Sequence, residues 1–138
     1  MTETNTFPED GMELTTILVV EDIHRSRNFY ENILKAEIYR EYGGTSLVIK
    51  FLGNWVLLVT EGGPTEDKPN VSFLPPGDVR KVSQSFTIRV KDCNRSYEIL
   101  KERGAEFLTP PVDWEAEIRA FFRDPDGHLF EISEIPDK

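Results

Sequence analysis

The chain has 138 residues, of which 38% are hydrophobic and 30% charged, and its formal net charge is −9. This length and composition fit one soluble globular domain, or two small halves that share a core. The negative charge argues against nucleic acid as a partner, because its phosphates would be repelled. The opening residues 1–12 are polar and are predicted to form a flexible lead.

The chain contains one cysteine, Cys93, so it cannot form an internal disulfide. It shows no signal-peptide pattern and no apolar run long enough for a membrane span, so we expect a cytoplasmic protein without a membrane partner. Cys93 follows Asp92 at a predicted helix start, where the pKa of a thiol can fall. The alternative for Cys93 is a small packed residue with no catalytic partner.

The first half of the chain predicts a βαβββ module over residues 13–61. A β-branched run at 15–20 predicts a strand, and Asp22 is suited to cap a helix that begins near Ile23. Three further strands are predicted over residues 36–42, 45–51 and 55–60. Residues 62–84 are rich in proline and glycine and are predicted to be a linker.

The same pattern then starts again and predicts a second βαβββ module over residues 85–135. Its predicted elements are a strand at 85–90, a helix at 93–103 capped by Asp92, a strand at 105–109 and a hairpin of strands 118–123 and 128–135. The segment 90–96 repeats the segment 20–26 at its Val, Asp, Arg and Ser positions. We therefore predict an α+β fold whose two modules pair about a pseudo-twofold axis, with a curved mixed sheet around a cleft and helices on the convex face.

The closing hairpin carries the residue on which the functional interpretation depends. Asp124-Pro125-Asp126-Gly127 predicts a four-residue turn in which Arg123 faces His128 and Phe122 faces Leu129. This register places Phe122 on the same face as Glu131. A lone carboxylate in an apolar strand is costly, so Glu131 either contacts a ligand or pairs with Arg89.

These motifs resemble the vicinal oxygen chelate superfamily, which includes glyoxalase I, extradiol dioxygenases, fosfomycin-resistance enzymes and bleomycin-resistance proteins. The resemblance covers residues 13–135 and rests on the capped segment at 20–26, on its repeat, and on the ending 121–131. It implies a homodimer, and metal-using members would take ligands from the positions Thr15, Leu58, Ser85 and Glu131. Only Glu131 has a side chain of the implied kind, so we expect no metal and no cofactor, with Zn, Ni or Fe as the alternative.

The favoured function is binding of a small organic ligand in the cleft, including a cationic aromatic one, as in bleomycin-resistance-like members that protect against antibiotics. No catalytic residue is predicted. The candidate ligand-binding residues are Glu131, Arg89, Phe122, Trp114, Trp55, Thr15, Ser85 and Thr87. Aromatic side chains among them can stack on a flat ligand, although Trp55 can equally fill the core. The alternatives are a metal-dependent lyase or dioxygenase that uses Glu131 as a ligand, and a non-catalytic regulatory or interaction module.

Overall fold

The computed structural model describes residues 6–136. Residues 1–5 of the predicted lead, and residues 137–138, lie outside the described residues. Residues 6–12 form turns and bends with exposed side chains. Within the described part of the chain, no helix is long and apolar enough to cross a membrane.

The first module contains four strands and a helix that widens into a π-helical turn. Its elements are β1 Thr16–Val20, α1 Ile23–Asn28, the π-helical turn Phe29–Ile33, β2 Glu37–Tyr42, β3 Ser46–Phe51 and β4 Asn54–Thr60. The sheet order is β1-β4-β3-β2, with β1 parallel to β4. Asp22 caps α1 as predicted, because its side chain accepts from the backbone N–H groups of His24 and Arg25 at 2.9 and 3.2 Å.

The second module repeats this arrangement. Its elements are β5 Phe86–Arg89, α2 Cys93–Glu102, β6 Val112–Asp113, β7 Ile118–Arg123 and β8 Leu129–Glu134. The order β5-β8-β7-β6, with β5 parallel to β8, matches the order of the first sheet. The α+β class and the two-module repeat are therefore confirmed. Among residues 6–136 strand ladders stay within each module, so the protein has two four-stranded mixed sheets.

The strand predicted at residues 105–109 is wrong. Only Phe107 forms a bridge there, to Phe122, and the edge strand β6 begins later, at Val112. Pro110 and Pro111 explain the interruption, because proline has no N–H to donate to a ladder.

One hydrophobic core joins the two modules. It includes Leu18, Val20 and Leu58 of the first sheet and Phe122, Phe130 and Ile132 of the second, each at most 5% exposed. The ring of Phe29 lies 6.4 Å from that of Phe122, and the ring of Tyr30 lies 6.2 Å from that of Phe130. The helical segment of the first module therefore packs against the core side of the second sheet.

The turn between β7 and β8 is tied to that helical segment by buried hydrogen bonds. Asp124 is 4% exposed, and its Oδ1 accepts the backbone N–H groups of Asp126 and His128 at 2.9 and 2.8 Å. The hydroxyl of Tyr30 donates to Asp124 Oδ2 at 2.6 Å. Burial raises the pKa of Asp124. Burial, with the Asp124 carboxylate beside it, raises the pKa of Tyr30 well above its usual value.

The linker at 62–84 is folded against the second module. Gly62 and Phe73 form a bridge with backbone hydrogen bonds of 3.0 and 2.7 Å. Val79 packs on the β7–β8 turn at Gly127, where a Cβ atom would clash with Val79 Cγ1. Gly127 also has a φ of +100°, a backbone conformation that favours glycine. The backbone conformation and the close approach of Val79 therefore both require glycine at this position.

Cys93 is a packed residue. Its side chain is fully buried at the start of α2, and burial, followed by the nearby Glu134 carboxylate, raises the pKa of its thiol to about 11. The helix start therefore does not activate the thiol.

The hydrogen bond from Tyr30 to Asp124 predicts the effect of Tyr30→Phe. This substitution leaves Asp124 Oδ2 buried without a donor, which costs on the order of 1–3 kcal/mol of unfolding free energy. Losing the donor also raises the pKa of Asp124 further. The difference in unfolding free energy between the wild type and Tyr30→Phe should therefore be largest at neutral pH. It should become smaller as the pH falls through the raised pKa of Asp124.

Urea denaturation at several pH values measures this loss. Tyr39→Phe is the matched control, because Tyr39 is 63% exposed and loses only a surface hydroxyl. If Tyr30→Phe and Tyr39→Phe lower the unfolding free energy equally at neutral pH, the role assigned to Tyr30 would be contradicted.

Candidate functional site

The face of the second sheet that points away from the core carries most of the predicted site. Strand alternation places Ala120, Phe122 and Ile132 in the core, so their neighbours point to the other side. We call this other side the open face. It consists of Thr87, Arg89, Arg119, Phe121, Glu131 and Ser133.

Glu131 lies in the middle of the open face, in a row of three side chains. It pairs with Thr87 on β5 and with Phe121 on β7. The hydroxyl of Thr87 donates to Glu131 Oε1 at 2.5 Å. Glu131 Oε2 is buried and has no hydrogen-bond partner among the described residues. An ionised carboxylate oxygen in this state is costly unless a donor or cation reaches it.

Arg89 pairs with a carboxylate other than Glu131. Its Nη1 donates to Ser133 Oγ at 2.6 Å and to Glu117 Oε2 at 3.3 Å, and Ser133 donates to the same Glu117 oxygen. Arg119 reaches the other Glu117 oxygen at 3.3 Å. The hydrogen bond from Ser133, reinforced by Arg89, holds the pKa of Glu117 below its usual range. The alternative of a Glu131–Arg89 ion pair is therefore wrong.

The predicted register of the closing hairpin is also wrong, by one residue on one strand. Arg123 pairs with Leu129 and Phe122 with Phe130, so the loop runs over five residues, from Asp124 to His128. A shift of one residue moves a side chain to the opposite face. Phe122 is consequently 0% exposed in the core and cannot stack on a ligand beside Glu131, whereas Phe121 occupies that place.

Trp114 lies in the loop between β6 and β7 and is 60% exposed. The guanidinium of Arg119 lies 5.7 Å from the ring centre of Trp114 and 5.6 Å from that of Phe121. These distances are typical of cation–π contacts. Phe121, Arg119 and Glu117 were missed as site residues, because only the observed register shows which side chains share the open face.

The remaining candidates lie at the strand starts or on the first sheet. Thr15 and Ser85 are exposed and immediately precede β1 and β5. Trp55 lies on β4, where its ring is 5.1 Å from that of Tyr39, with Lys50 Nζ 4.8 Å away. It packs against these neighbours on the first sheet. Leu58, by contrast, is fully buried in the core.

A family model described as the Glyoxalase/Bleomycin resistance protein/Dioxygenase superfamily matches residues 14–132. The chain belongs to this superfamily. It is 32% identical over 116 residues to the metallothiol transferase FosB of Staphylococcus saprophyticus, covering 82% of this chain and 70% of that protein.

Solved structures share the fold. A glyoxalase/bleomycin resistance protein/dioxygenase from Alicyclobacillus acidocaldarius has a TM-score of 0.68 at 18% identity, covering 93% of this chain and 94% of that one. A mutant of the fosfomycin resistance protein FosX from Listeria monocytogenes, complexed with Mn(II) and 1S,2S-dihydroxypropylphosphonic acid, has a TM-score of 0.61. It is 21% identical, and the match covers 90% of this chain and 89% of that one.

These relatives contradict our expectation that the protein has no cofactor. The S. saprophyticus relative is a metallothiol transferase by name, and the FosX mutant was solved with Mn(II). The expectation rested on the donor chemistry of four positions, of which only Glu131 carries a strong metal ligand.

The donor chemistry of the described residues fits such a metal only in part. The unpartnered Oε2 of Glu131 is suited to one coordination bond. Leu58 is buried, and the hydroxyls of Thr15 and Ser85 are weak ligands. Within residues 6–136, no three His, Cys, Asp or Glu side chains gather where they could hold an ion. The described residues therefore do not complete a metal site.

Loss of charge should affect the unfolding free energy differently at Glu117 and at Glu131. Glu117→Gln weakens a satisfied network and should lower the unfolding free energy by about 1–2 kcal/mol. Glu131→Gln removes the charge of a carboxylate whose Oε2 has no hydrogen-bond partner among the described residues. The unfolding free energy should therefore stay within about 0.5 kcal/mol of the wild-type value or rise.

Urea denaturation of both variants measures the contrast. The pKa of Glu117 is lowered in the fold, so its contribution is present above the unfolded pKa and is lost as the pH falls through the folded value. The difference between the wild type and Glu117→Gln should therefore narrow in acid. Equal destabilisation by the two substitutions would refute the distinction.

Proposed function

We propose that the open face binds a small organic molecule through the carboxylate of Glu131. The observation that carries the proposal is the buried Oε2 of Glu131, which has no partner among the described residues while Oε1 is held by Thr87. A ligand N–H or ammonium group supplies the missing donor. Both carboxylate oxygens of the neighbouring Glu117 already accept hydrogen bonds, so Glu117 offers no comparable free acceptor.

The surroundings of Glu131 favour a cationic ligand with a flat part. Phe121 lies directly beside Glu131 on β7, and Trp114 with Arg119 continues this aromatic surface. Flat rings stack on such surfaces, and the net charge of −9 attracts cations over a longer range. This combination supports sequestration of an antibiotic-like molecule.

The cationic-ligand proposal predicts binding that depends on Glu131. We expect bleomycin, or a simpler cationic aromatic compound such as ethidium or proflavine, to bind the purified protein in calorimetry with and without added Mn(II). Glu131→Gln should weaken binding about tenfold or more, because it removes a charge-assisted hydrogen bond. Glu98→Gln, which removes an exposed carboxylate on α2, should leave binding unchanged. Absence of binding by all three compounds, or equal loss in both variants, would overturn the proposal.

The second candidate is a metal-dependent enzyme of the fosfomycin-resistance type. The 32% identity to a metallothiol transferase favours it, and Glu131 would be one metal ligand. If this candidate holds, Mn(II) should bind the wild type and not Glu131→Gln, and fosfomycin should be consumed when Mn(II) and a thiol are both present. Consumption that persists in Glu131→Gln would exclude Glu131 as the ligand.

We also propose that the protein is a homodimer. Within residues 6–136, β1 and β5 pair on one side only, and Ile17 on β1 is 43% exposed. An unpaired edge next to an exposed apolar side chain is suited to a second copy. Light scattering should give twice the chain mass of 15.9 kDa. Ile17→Asp should shift the protein to the monomer while Ile99→Asp on α2 does not, and a monomeric wild type would refute the proposal.

A further inference from the structure

Arg89 and Arg119 share the open face with Glu131, yet neither binds it. Ser133 lies between the two arginines, because it pairs with Arg89 on β5 and with Arg119 on β7. Glu131 is two residues before Ser133 on the same strand, so its side chain lies on the same face, one diagonal step from each arginine. A long side chain can span such a step. Glu131 Oε2 nevertheless has no hydrogen-bond partner among the described residues.

Glu117 binds both arginines instead. Its Oε2 accepts from Arg89 at 3.3 Å, and its Oε1 accepts from Arg119 at 3.3 Å. Ser133 also donates to Oε2. This hydrogen bond, together with the one from Arg89, lowers the pKa of Glu117, so its carboxylate is charged at neutral pH. Glu117 is therefore a second anion on this face, and each of its oxygens holds one guanidinium group.

The backbone before β7 places Glu117 without help from the arginines. Trp114 donates its backbone N–H to the backbone oxygen of Glu117 at 2.8 Å, and this bond closes the loop between β6 and β7. Within the same loop, the backbone N–H of Glu115 donates to Asp113 Oδ1 at 2.8 Å. A substitution that only neutralises the Glu117 side chain therefore removes the anion and keeps the loop that carries it.

The other contacts of the two arginines are weaker than an ion pair. Arg89 Nη1 donates to the neutral hydroxyl of Ser133 at 2.6 Å, and Arg119 lies 5.7 and 5.6 Å from the centres of two aromatic rings. The side chains of Arg89 and Arg119 are 54% and 39% exposed, and cation–π contacts at exposed sites are weak. A charged carboxylate is a stronger acceptor than a hydroxyl or a ring. Without the charge of Glu117, the strongest acceptor near these arginines is the free Oε2 of Glu131.

Arg123, the third arginine of this alternation on β7, is not held by the same carboxylate. It lines a cleft with Glu106 and Asp124 at the other end of the strand. Among residues 6–136 it forms no ion pair with Glu131. Access to Glu131 is therefore decided by the two arginines beside Ser133.

We propose that Glu117 is a positioning residue that holds Arg89 and Arg119 away from Glu131 and so keeps Glu131 free for a cationic ligand. The inference rests on the proposed function of the open face and adds the residue that controls access to its carboxylate. When the charge of Glu117 is lost, an arginine supplies the donor that Glu131 Oε2 lacks. The cation of a ligand then meets a carboxylate that is already paired, so binding weakens although Glu117 is not the partner of that cation.

Calorimetry with proflavine, a cationic aromatic probe, measures the effect on binding. Glu117→Gln should weaken binding about tenfold, because an arginine then competes for Glu131. In the Glu117→Gln background, replacing Arg89 and Arg119 together with glutamine should recover most of this loss. In the wild-type background, where neither arginine occupies Glu131, the gain from the same double replacement should be at least about threefold smaller. Equal gains in the two backgrounds would show a general charge effect and overturn the inference.

A matched control separates the position of Glu117 from its charge. Glu98→Gln removes an exposed carboxylate on α2 and should leave proflavine binding unchanged. If Glu98→Gln weakens binding as much as Glu117→Gln, the effect belongs to the net charge and the inference is overturned.

Urea denaturation without ligand tests the inference separately from the proposed function. In the wild-type background, Glu131→Gln should leave the unfolding free energy nearly unchanged or raise it, because Oε2 has no partner among the described residues. In the Glu117→Gln background the same substitution should lower the unfolding free energy, because it removes the acceptor of an arginine. An identical effect of Glu131→Gln in both backgrounds would overturn the inference. If the effects differ in this way but proflavine does not bind the wild type, the proposed function fails and the role of Glu117 in holding the arginines is supported.

Discussion

The rest of the structure depends on the hydrogen bonds that the buried carboxylate of Asp124 accepts. One of its oxygens closes the β7–β8 turn through two backbone N–H groups, and the other accepts from Tyr30 of the first module. A single side chain therefore fixes the hairpin of one module and attaches it to the helical segment of the other. Because the same hairpin carries Glu131, the position of the candidate site depends on this buried pair.

Local signals in the sequence predicted most of the helices and strands but not the face that each side chain occupies. Asp22 and Asp92 cap their helices as predicted, because a capping bond involves only the next few residues. The hairpin register depends instead on whether His128 belongs to the loop or to the strand. In the structure Asp124 bonds to His128 through backbone and side chain, so His128 joins the loop. Because His128 lies in the loop, Phe121 lies beside Glu131 instead of the predicted Phe122.

The widening of the first helix illustrates a second limit of sequence reasoning. The sequence predicted one helix beginning near Ile23, whereas residues Phe29–Ile33 form a π-helical turn. Phe29 and Tyr30 are adjacent in sequence, yet both are buried, with their rings edge to face at 5.1 Å. The contacts that require this, with Phe122, Phe130 and Asp124, lie in the other module, far along the chain. Local periodicity cannot report such contacts.

The closing hairpin carries two buried groups of opposite character that lack a hydrogen-bond partner among the described residues. Among the described residues, Glu131 Oε2 is an acceptor without a donor, and Arg123 Nε is a donor without an acceptor. Both residues belong to the closing hairpin, but Arg123 is in register with Leu129 and Glu131 with Phe121, so they are not cross-strand partners. Elsewhere the fold readily satisfies such groups, as Glu117 shows by binding Arg89, Arg119 and Ser133. A fold that does so, and still leaves one carboxylate oxygen and one guanidinium N–H of its described residues buried and unpaired, retains unused hydrogen-bonding capacity within one hairpin.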